Sequence, residues 1–148
     1  ALVIMGDQFF YRRDDGSNTK DLIDLVNDAD VTAGLLGVPV PLDDVSKYGI
    51  IEKDSENKFV RIIEKPAPEE APSNLNNASF YIFPKAIFEL ARKLPANPAR
   101  GEYEITDAIN AYVQNGNAIV VGEAKGEYLD GGSPEGWLHA NNIVSQSL

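Results

Sequence analysis

Short apolar runs of strand type alternate with amphipathic stretches of helical spacing along all 148 residues of the chain. This alternation predicts an α/β fold, with strands gathered into a sheet and helices flanking it. The length suits a single domain, and no linker or internal repeat divides residues 1–148. The predicted elements in order are a strand at 1–5, a helix at 19–27 that Ser17 or Asn18 can cap, a strand at 31–40, a hairpin of strands at 48–52 and 59–65, a loop at 66–77, a strand at 78–83, a helix at 85–93, a loop at 97–101, a helix at 105–115, strands at 118–122 and 127–130, and a final helix that Ser133 caps.

The first apolar run, residues 1–5, ends at Gly6 and Asp7. A continuous apolar run is typical of a strand that is buried on both faces of a parallel sheet. Asp7 then lies at the end of that strand, where open α/β sheets hold their ligands. The chain begins inside this run at Ala1, without a methionine, and we expect that it has lost its original beginning.

The net charge argues against a polymeric anion as partner. The chain has 23 Asp and Glu residues against 13 Lys and Arg residues, so its formal net charge is -10. The sequence contains no basic stripe to neutralise a phosphate backbone, and we expect no nucleic-acid partner. A small phosphorylated ligand is compatible with this charge, because a bound divalent cation or a few lysines can reverse the local field.

The composition also bounds the compartment and the chemistry. The sequence has no cysteine, which excludes a disulfide scaffold, a zinc-thiolate site and a cysteine nucleophile. A reducing, cytoplasmic setting fits this composition. The longest apolar runs, at 1–5 and 31–42, fall short of the roughly 18 to 20 residues that a membrane span requires, so we expect no membrane partner.

Two aspartates follow apolar strands beside glycines: Asp7 in the sequence MGDQ and Asp130 in LDGG. If both strands end at the same edge of the sheet, the two carboxylates face one crevice. Magnesium accepts one or two protein carboxylates and completes its octahedron with water and substrate phosphates. Each aspartate taken alone is more simply interpreted as the cap of a turn, because Asp is common where strands pass into loops.

Glu64 and Lys65 end a predicted strand at the mouth of the proline-rich loop at 66–77. The carboxylate can accept hydrogen bonds from sugar hydroxyls, and the ammonium group can meet a phosphate. The alternative is an exposed ion pair that contributes little stability. Gly49 would let a ligand approach the backbone closely, although an isolated glycine in a strand is as often a bulge.

Several remaining candidates favour structural roles. His139, the single histidine, has no partner nearby in sequence and is interpreted as a surface residue, whereas Trp137 is predicted to lie in the core. The acidic segment at 101–107 is interpreted as a helix start, with Thr106 or Asp107 as the cap. The sequence contains no Walker or dinucleotide glycine loop, and its one uncommitted histidine does not support a Ser-His-Asp set.

Six segments carry a further signal: VIMGDQFF (3–10), YGIIEKD (48–54), IEKP (63–66), SN (73–74) with FYIF (80–83), GEYEITD (101–107) and YLDGGSPE (128–135). In this order they resemble the sugar-1-phosphate nucleotidyltransferases, and most of all the glucose-1-phosphate thymidylyltransferases and uridylyltransferases. The segments extend over nearly the whole chain, and together they are more specific than any one of them.

The resemblance implies a Rossmann-like sheet and an enzyme that joins a sugar 1-phosphate to dTTP or UTP with release of pyrophosphate. The expected sugar substrate is glucose 1-phosphate, and a homo-oligomer is expected. The resemblance also implies Mg²⁺ as the cofactor, with Asp7 and Asp130 as its ligands. These two aspartates and Lys65 are the implied catalytic residues.

The same resemblance implies a substrate-binding set. Glu64 and Lys65 match the residues that contact the sugar and the phosphate in the family. Gly49 matches a glycine that contacts the sugar, and Tyr81 falls where the family lines the sugar pocket. We expect these four residues to line a single crevice.

The sequence departs from the family pattern at its start, where the glycine-rich motif for the triphosphate has no counterpart. We therefore expect the chain to be the C-terminal two-thirds of a catalytic domain, incomplete at its N-terminus and inactive by itself. Gln8, Ser79 and Tyr128 also differ from residues common at their positions, which bears on the identity of the sugar more than on the reaction. The alternative function is a non-catalytic sugar-phosphate-binding or regulatory relative.

Overall fold

The structure, a computed structural model, describes residues 1–98 and 101–146. Its strands and helices are β1 (Leu2–Ile4), β2 (Gln8–Tyr11), α1 (Asn18–Asp28), β3 (Gly34–Pro39), β4 (Gly49–Lys53), β5 (Phe59–Glu64), β6 (Leu75–Ile82), α2 (Lys85–Ala91), α3 (Ile105–Gln114), β7 (Val120–Glu123), β8 (Glu127–Asp130) and α4 (Pro134–Ser145). Short 3₁₀ turns at Leu42–Lys47 and Pro68–Glu70 precede β4 and β6. The predicted α/β fold, a central sheet with flanking helices, is confirmed. The predicted loop at 97–101 lies partly outside the described residues.

β6 lies at the centre of the main sheet, whose strand order is β5-β4-β6-β3-β7. One edge of β6 pairs with β3, and the other edge is shared, since β4 meets it at Asn76 and β1 meets it from Phe80 to Ile82. The register of β3 against β6 shifts between the part of β6 that pairs with β4 and the part that pairs with β1. Ser79, in β6, has a φ of 53°, which is uncommon for a residue with a side chain. The interruption lies where β6 lines the crevice described below.

The predicted parallel environment of β1 is wrong. β1 runs antiparallel to β6, and among the described strands only β3 and β7 pair in parallel. Its side chains are not buried on both faces either, since Leu2 and Ile4 are 47% and 46% exposed. An apolar run indicates a strand, but it does not reveal how many layers of the fold cover that strand.

Helices cover both faces of the main sheet. α2 and α3 lie on one face, where Ile87 and Ile109 belong to the larger apolar core. α1 lies on the opposite face, where Leu22 and Val26 pack with residues of β3, β6 and β7. The amphipathic stripes in the sequence therefore bury their apolar sides as expected.

Two of the three predicted helix caps are confirmed. Ser17 caps α1 by accepting from the Lys20 N–H, and Ser133 caps α4 by accepting from the Gly136 N–H. The predicted cap of α3 is wrong, because the helix begins after Glu104 and Thr106 is buried within its first turn.

α4 differs from its prediction on its outer face. Trp137 is 58% exposed, so its predicted place in the core is wrong, whereas His139 is exposed as expected. A helix that packs on one short strand buries only one of its faces, and Trp137 lies on the exposed face of α4. Within the described residues, no helix combines the length and the apolar character needed to cross a membrane.

β2 and β8 form a separate antiparallel ribbon beside the main sheet. At one end of the ribbon Arg12 pairs with Asp14 at 2.7 Å, and this contact lowers the pKa of Asp14 to about 2. Asn18, the first residue of α1, donates to the Lys125 carbonyl oxygen at 2.8 Å and accepts from its N–H at 3.0 Å. These contacts fasten the ribbon to α1 at the end remote from Asp130.

Candidate active site

The carboxylates of Asp7 and Asp130 converge on one point. Gln8 stands opposite Asp130 in the ribbon, and the Gly131 N–H donates to the Asp7 carbonyl oxygen at 2.7 Å. A Cβ atom placed on Gly132 would lie 3.1 Å from Oδ1 of Asp130 and 3.3 Å from Oδ2 of Asp7. The two oxygens are therefore no further apart than the sum of these distances. The structure brings together the two carboxylates that the sequence singled out.

This pair of carboxylates fits a hard cation that also binds phosphate. Among the described residues, no group of three or more His, Asp or Glu side chains gathers to hold a metal. Two carboxylates leave most of an octahedral shell to water and substrate oxygens, which is how Mg²⁺ is commonly bound. A side chain at Gly132 would press on both carboxylates, so the glycine keeps the space between them open.

A crevice of about 370 Å³ opens beside the carboxylates, and Gln8, the neighbour of Asp7, lines it. This volume falls within the usual range of small-molecule sites, which begins at about 300 Å³. Three of the four predicted substrate-binding residues, Gly49, Glu64 and Tyr81, line this crevice together. The β4–β5 hairpin therefore contributes one wall and the central strand β6 another.

Gly49 leaves room for the carboxylate of Glu64. The two residues are register partners in the hairpin, and a Cβ atom at position 49 would lie only 2.9 Å from Oε1 of Glu64. The same Cβ atom would lie 3.1 Å from Cγ2 of Ile62, so the space is closed on two sides. The irregularity of the hairpin lies elsewhere, at Glu52 and Lys53, and Gly49 is therefore not the bulge that the sequence left open.

Tyr81 forms a rigid, neutral part of the crevice wall. Its side chain is fully buried, stacks on Phe83 with ring centroids 4.7 Å apart, and accepts a hydrogen bond from Nδ2 of Asn77 at 2.8 Å. Burial raises the pKa of the Tyr81 phenol above its ordinary value, which keeps the hydroxyl protonated at neutral pH.

Lys65 is next to the crevice but not in its wall. Its φ is 49°, and its backbone N–H donates to the Tyr48 carbonyl oxygen at 2.8 Å. The side chain is exposed, and the ion pairs formed within the described residues do not include Lys65. The exposed Glu64–Lys65 pair, the alternative that the sequence left open, is therefore not formed, and Lys65 is an exposed residue at the rim of the crevice.

Sequence reasoning missed several lining residues. Asn76 and Asn77 belong to β6, although the sequence predicts a loop through residue 77. The sequence signal for these two residues is a pair of amides directly before an apolar run of strand type. Glu102 and Glu104 line the crevice as well, so the segment at 101–107 borders the site besides starting α3.

The charges of the crevice favour a neutral, hydroxyl-rich group. Glu64, Glu102 and Glu104 line it, and Lys47, the one cation that lines it within residues 1–98 and 101–146, pairs with Asp44 at 2.6 Å. Carboxylates and amides accept hydrogen bonds from hydroxyls, whereas a phosphate placed among three carboxylates would be repelled. A phosphorylated sugar would therefore put its ring in the crevice and its phosphate at the aspartate pair with a cation.

Gly136→Ala is expected to lower the free energy of unfolding by about 1 to 3 kcal/mol, because overpacking forces the backbone to shift. A Cβ atom at position 136 would lie 2.1 Å from the backbone oxygen of Asp130, so α4 would have to move away from β8. Gly6→Ala is the matched control, since a Cβ atom there meets nothing within 4 Å. Urea unfolding measures both variants, and equal losses of stability would contradict the close approach of α4 to β8.

The chain is similar to known proteins over nearly its whole length. A family model described as nucleotidyl transferase matches residues 1–147. The chain is 32% identical over 152 residues to a UTP–glucose-1-phosphate uridylyltransferase of Pseudomonas aeruginosa, a match that covers 99% of the chain and 53% of the relative. It is 36% identical over 141 residues to the bifunctional protein GlmU of Methanococcus maripaludis, covering 95% of the chain and 31% of the relative.

A solved structure of UDP-glucose pyrophosphorylase complexed with UDP-glucose matches the fold with a TM-score of 0.86 and 30% identity. That match covers 99% of the chain and 56% of the solved protein. The chain thus spans about half or less of the length of the curated relatives described above.

Proposed function

Because the chain belongs to the sugar-1-phosphate nucleotidyltransferase family, we propose that it forms the sugar-phosphate and metal-binding part of an enzyme that makes a nucleotide sugar. The proposed reaction is nucleotidyl transfer from UTP or dTTP to a hexose 1-phosphate, with glucose 1-phosphate as the expected substrate. An oxygen of the sugar phosphate attacks the α-phosphorus of the triphosphate, the bond from that phosphorus to the bridging oxygen breaks, and pyrophosphate leaves.

The observation that carries this proposal is the convergence of Asp7 and Asp130 beside a crevice rich in hydrogen-bonding groups. Both reactants are anions, so positioning and charge neutralisation lower the barrier, and no covalent nucleophile is required. When bound, Mg²⁺ would neutralise phosphate charge at the two aspartates. A non-catalytic binding module needs the crevice but not both carboxylates, and their convergence therefore favours the enzyme.

Each crevice residue has a proposed task in this reaction. Glu64 accepts hydrogen bonds from sugar hydroxyls, and Gly49 leaves free the space that the Glu64 carboxylate occupies. Tyr81 and its partner Asn77 form the wall against which the ring lies. Lys65 at the rim provides an ammonium group for the phosphate, as its exposed position allows.

Compartment and assembly are also proposals. A cytoplasmic setting is supported by the cysteine-free composition. Self-association is supported by Leu2 and Ile4 on β1 and Phe9 on β2, large apolar side chains that are 43% to 47% exposed. Association with a second copy would remove them from water.

Lys65→Ala is expected to weaken the binding of glucose 1-phosphate about 5- to 10-fold, because it removes one exposed, charge-assisted contact to the phosphate. The measurement is a titration of the isotopically labelled chain followed by NMR. Lys53→Ala is the matched control, since Lys53 lies on the same hairpin but outside the crevice, and its exposed side chain donates to Oδ1 of Asn57.

The outcome for the proposed crevice is equally direct. In the unsubstituted chain we expect the ligand to shift the signals of Gly49, Glu64 and Tyr81 at millimolar concentration. Absence of these shifts, or equal weakening in the Lys65 and Lys53 variants, would count against the proposed mode of binding.

A further inference from the structure

The ribbon of β2 and β8 carries the aspartate pair at one of its ends. Asp7 directly precedes β2, and Asp130 is the last residue of β8. Each strand has four residues, and a two-stranded ribbon is by itself marginally stable in water. Two carboxylates that lie close together also repel each other, which favours separation of the strands at this end. Contacts elsewhere must therefore hold the ribbon in the geometry in which the carboxylates converge.

Asn18, at the start of α1, binds the opposite end of the ribbon. Its side chain is buried, and its Nδ2 donates to the carbonyl oxygen of Lys125 at 2.8 Å while its Oδ1 accepts from the Lys125 N–H at 3.0 Å. Lys125 lies just before β8. A neighbouring antiparallel strand would form the same pair of hydrogen bonds with this residue. The Asn18 amide therefore fixes the chain that enters β8 much as a sheet neighbour would.

Arg12, which directly follows β2, belongs to the same cluster. Its side chain is 11% exposed, and its Nε and Nη2 donate to the two carboxylate oxygens of Asp14, each at 2.7 Å. Its Nη1 lies 3.2 Å from Oδ2 of Asp21 in α1, and Nζ of Lys125 lies 3.2 Å from the same oxygen. Arg12, Asn18, Asp21 and Lys125 thus form one cluster, the α1 anchor, which ties both strands of the ribbon to α1.

The backbone of the ribbon connects the α1 anchor to the aspartate pair. Beside the anchor, Gly126 has a φ of 98°, and a Cβ atom there would lie only 2.7 Å from the carbonyl oxygen of Tyr11. At the other end, the Gly131 N–H donates to the Asp7 carbonyl oxygen at 2.7 Å. The residue pairs between these two contacts keep an unbroken register, and four residues of strand span about 10 Å. A displacement at the anchor therefore reaches the carboxylates along one short, paired segment.

We propose that Asn18 and Arg12 are positioning residues that set the affinity of the aspartate pair for its divalent cation, a proposal that rests on the proposed function. The α1 anchor holds the cation-free ribbon in the geometry that the cation requires, so little binding free energy is spent on bringing the carboxylates together. Without the anchor, repulsion between the carboxylates opens the ribbon, and the fraction of chains that are competent to bind the cation falls. Both residues act through the ribbon and not by contact with the substrate.

A titration with Mn²⁺, followed by NMR, measures the effect of the anchor on the cation site. The Gly132 N–H donates to Oδ1 of Asp130 at 2.9 Å, so paramagnetic broadening of its signal reports Mn²⁺ bound at the pair. Asn18→Leu removes both hydrogen bonds to Lys125 and is expected to weaken Mn²⁺ binding about 5- to 10-fold. Arg12→Met leaves those two bonds in place and is expected to weaken it about 2- to 5-fold.

Hydrogen exchange at Lys125 tests the same coupling in the opposite direction. Coupling between two sites is reciprocal, so a cation at the aspartate pair is expected to stabilise the α1 anchor. The Lys125 N–H donates to Asn18, and its exchange rate reports local opening of the anchor. Saturating Mg²⁺ is expected to slow this exchange at least about threefold in the unsubstituted chain and to leave it unchanged in Asp130→Asn. An anchor with only a structural role would protect Lys125 equally with and without Mg²⁺.

Asn110→Leu is the matched control for Asn18→Leu. Asn110, in α3, forms the same pair of contacts with a strand, since it accepts from the Ile62 N–H at 3.0 Å and donates to the Ile62 carbonyl oxygen at 3.3 Å. Both variants are expected to lower the Tm, because each leaves backbone groups without their side-chain partner. The affinity for Mn²⁺ is expected to stay within about twofold in Asn110→Leu, since that contact lies outside the ribbon. Equal weakening of Mn²⁺ binding in the two variants would overturn the proposal.

The outcomes distinguish this proposal from the function on which it rests. If Mn²⁺ broadens the Gly132 signal equally in the unsubstituted chain and in Asp130→Asn, the pair does not hold the cation, and the proposed function and this proposal fail together. If Asp130→Asn loses the site but Asn18→Leu binds Mn²⁺ as tightly as the unsubstituted chain, the anchor has no positioning role and the proposed function stands. If Asn18→Leu does not fold, the exchange of Lys125 in the unsubstituted chain decides, and an exchange rate that Mg²⁺ does not change would overturn the proposal.

Discussion

Asp130→Asn is expected to lower the kcat of nucleotidyl transfer by at least about 10³-fold in a chain extended to the length of its relatives, because it removes half of the charge that holds the cation on the reacting phosphates. Asparagine keeps the shape of aspartate. Its side-chain oxygen can still accept from the Gly132 N–H, a hydrogen bond of 2.9 Å in the structure. The fold is therefore retained while the cation site is lost.

Pyrophosphate release from UTP, glucose 1-phosphate and Mg²⁺ measures this effect. Asp7→Asn is expected to match Asp130→Asn, and the double variant to fall little further, because residues that act as a unit are strongly non-additive. Asp15→Asn is the control, since Asp15 is exposed and lies outside the crevice. Undiminished turnover in either single variant would show that the two carboxylates do not share a catalytic cation.

Turnover by residues 1–148 alone is expected to lie at least about 10⁵-fold below that of a chain extended upstream to the length of its relatives, because alignment of the two reactants supplies several kcal/mol of the barrier reduction. In the proposed function the crevice and the aspartate pair bind the sugar phosphate and the metal. The sequence contains no glycine-rich loop that would cradle a triphosphate. The sugar phosphate would then be positioned for the reaction, whereas the triphosphate would not.

The same pyrophosphate assay decides this prediction when both chains are compared at equal concentration. Binding of glucose 1-phosphate serves as the internal control, because it is expected in both chains. Equal, robust turnover in the two chains would place the triphosphate site within residues 1–148 and would show that the boundary inferred from the motifs is wrong.

Local sequence patterns identify some of the site residues but not the contacts between them. Asp7 and Asp130 were singled out because each follows an apolar strand beside glycine, and Glu64 because it ends a strand beside a breaker-rich loop. These are local features, and strand ends are where α/β sheets place their chemistry. The two carboxylates meet because β2 pairs with β8, although more than a hundred residues of sequence separate these strands. No local pattern contains that pairing.

The missed residues have a common cause. Asn76 and Asn77 appear as the end of a loop because amides are rare in strands, yet β3 and β4 pair with this stretch and make it the start of β6. Gln8 looks like an ordinary polar residue after a turn. Its place in the crevice wall comes from the pairing of β2 with β8, which is a property of packing.

By itself the sequence determined the helices and most of the strands, although not β2, together with the cap Ser133 and the choice of Asp7 and Asp130. Periodicity, capping and strand-end chemistry act over a few residues, and a local pattern therefore carries them. Only the tertiary structure decided that β1 pairs antiparallel with β6, that Trp137 faces solvent and that Lys65 stands at the rim. The direction of a strand, the burial of a residue and the exposure of a side chain depend on which distant elements pack against each segment. Contacts between residues far apart in the chain determine those neighbours, and a local pattern carries no record of them.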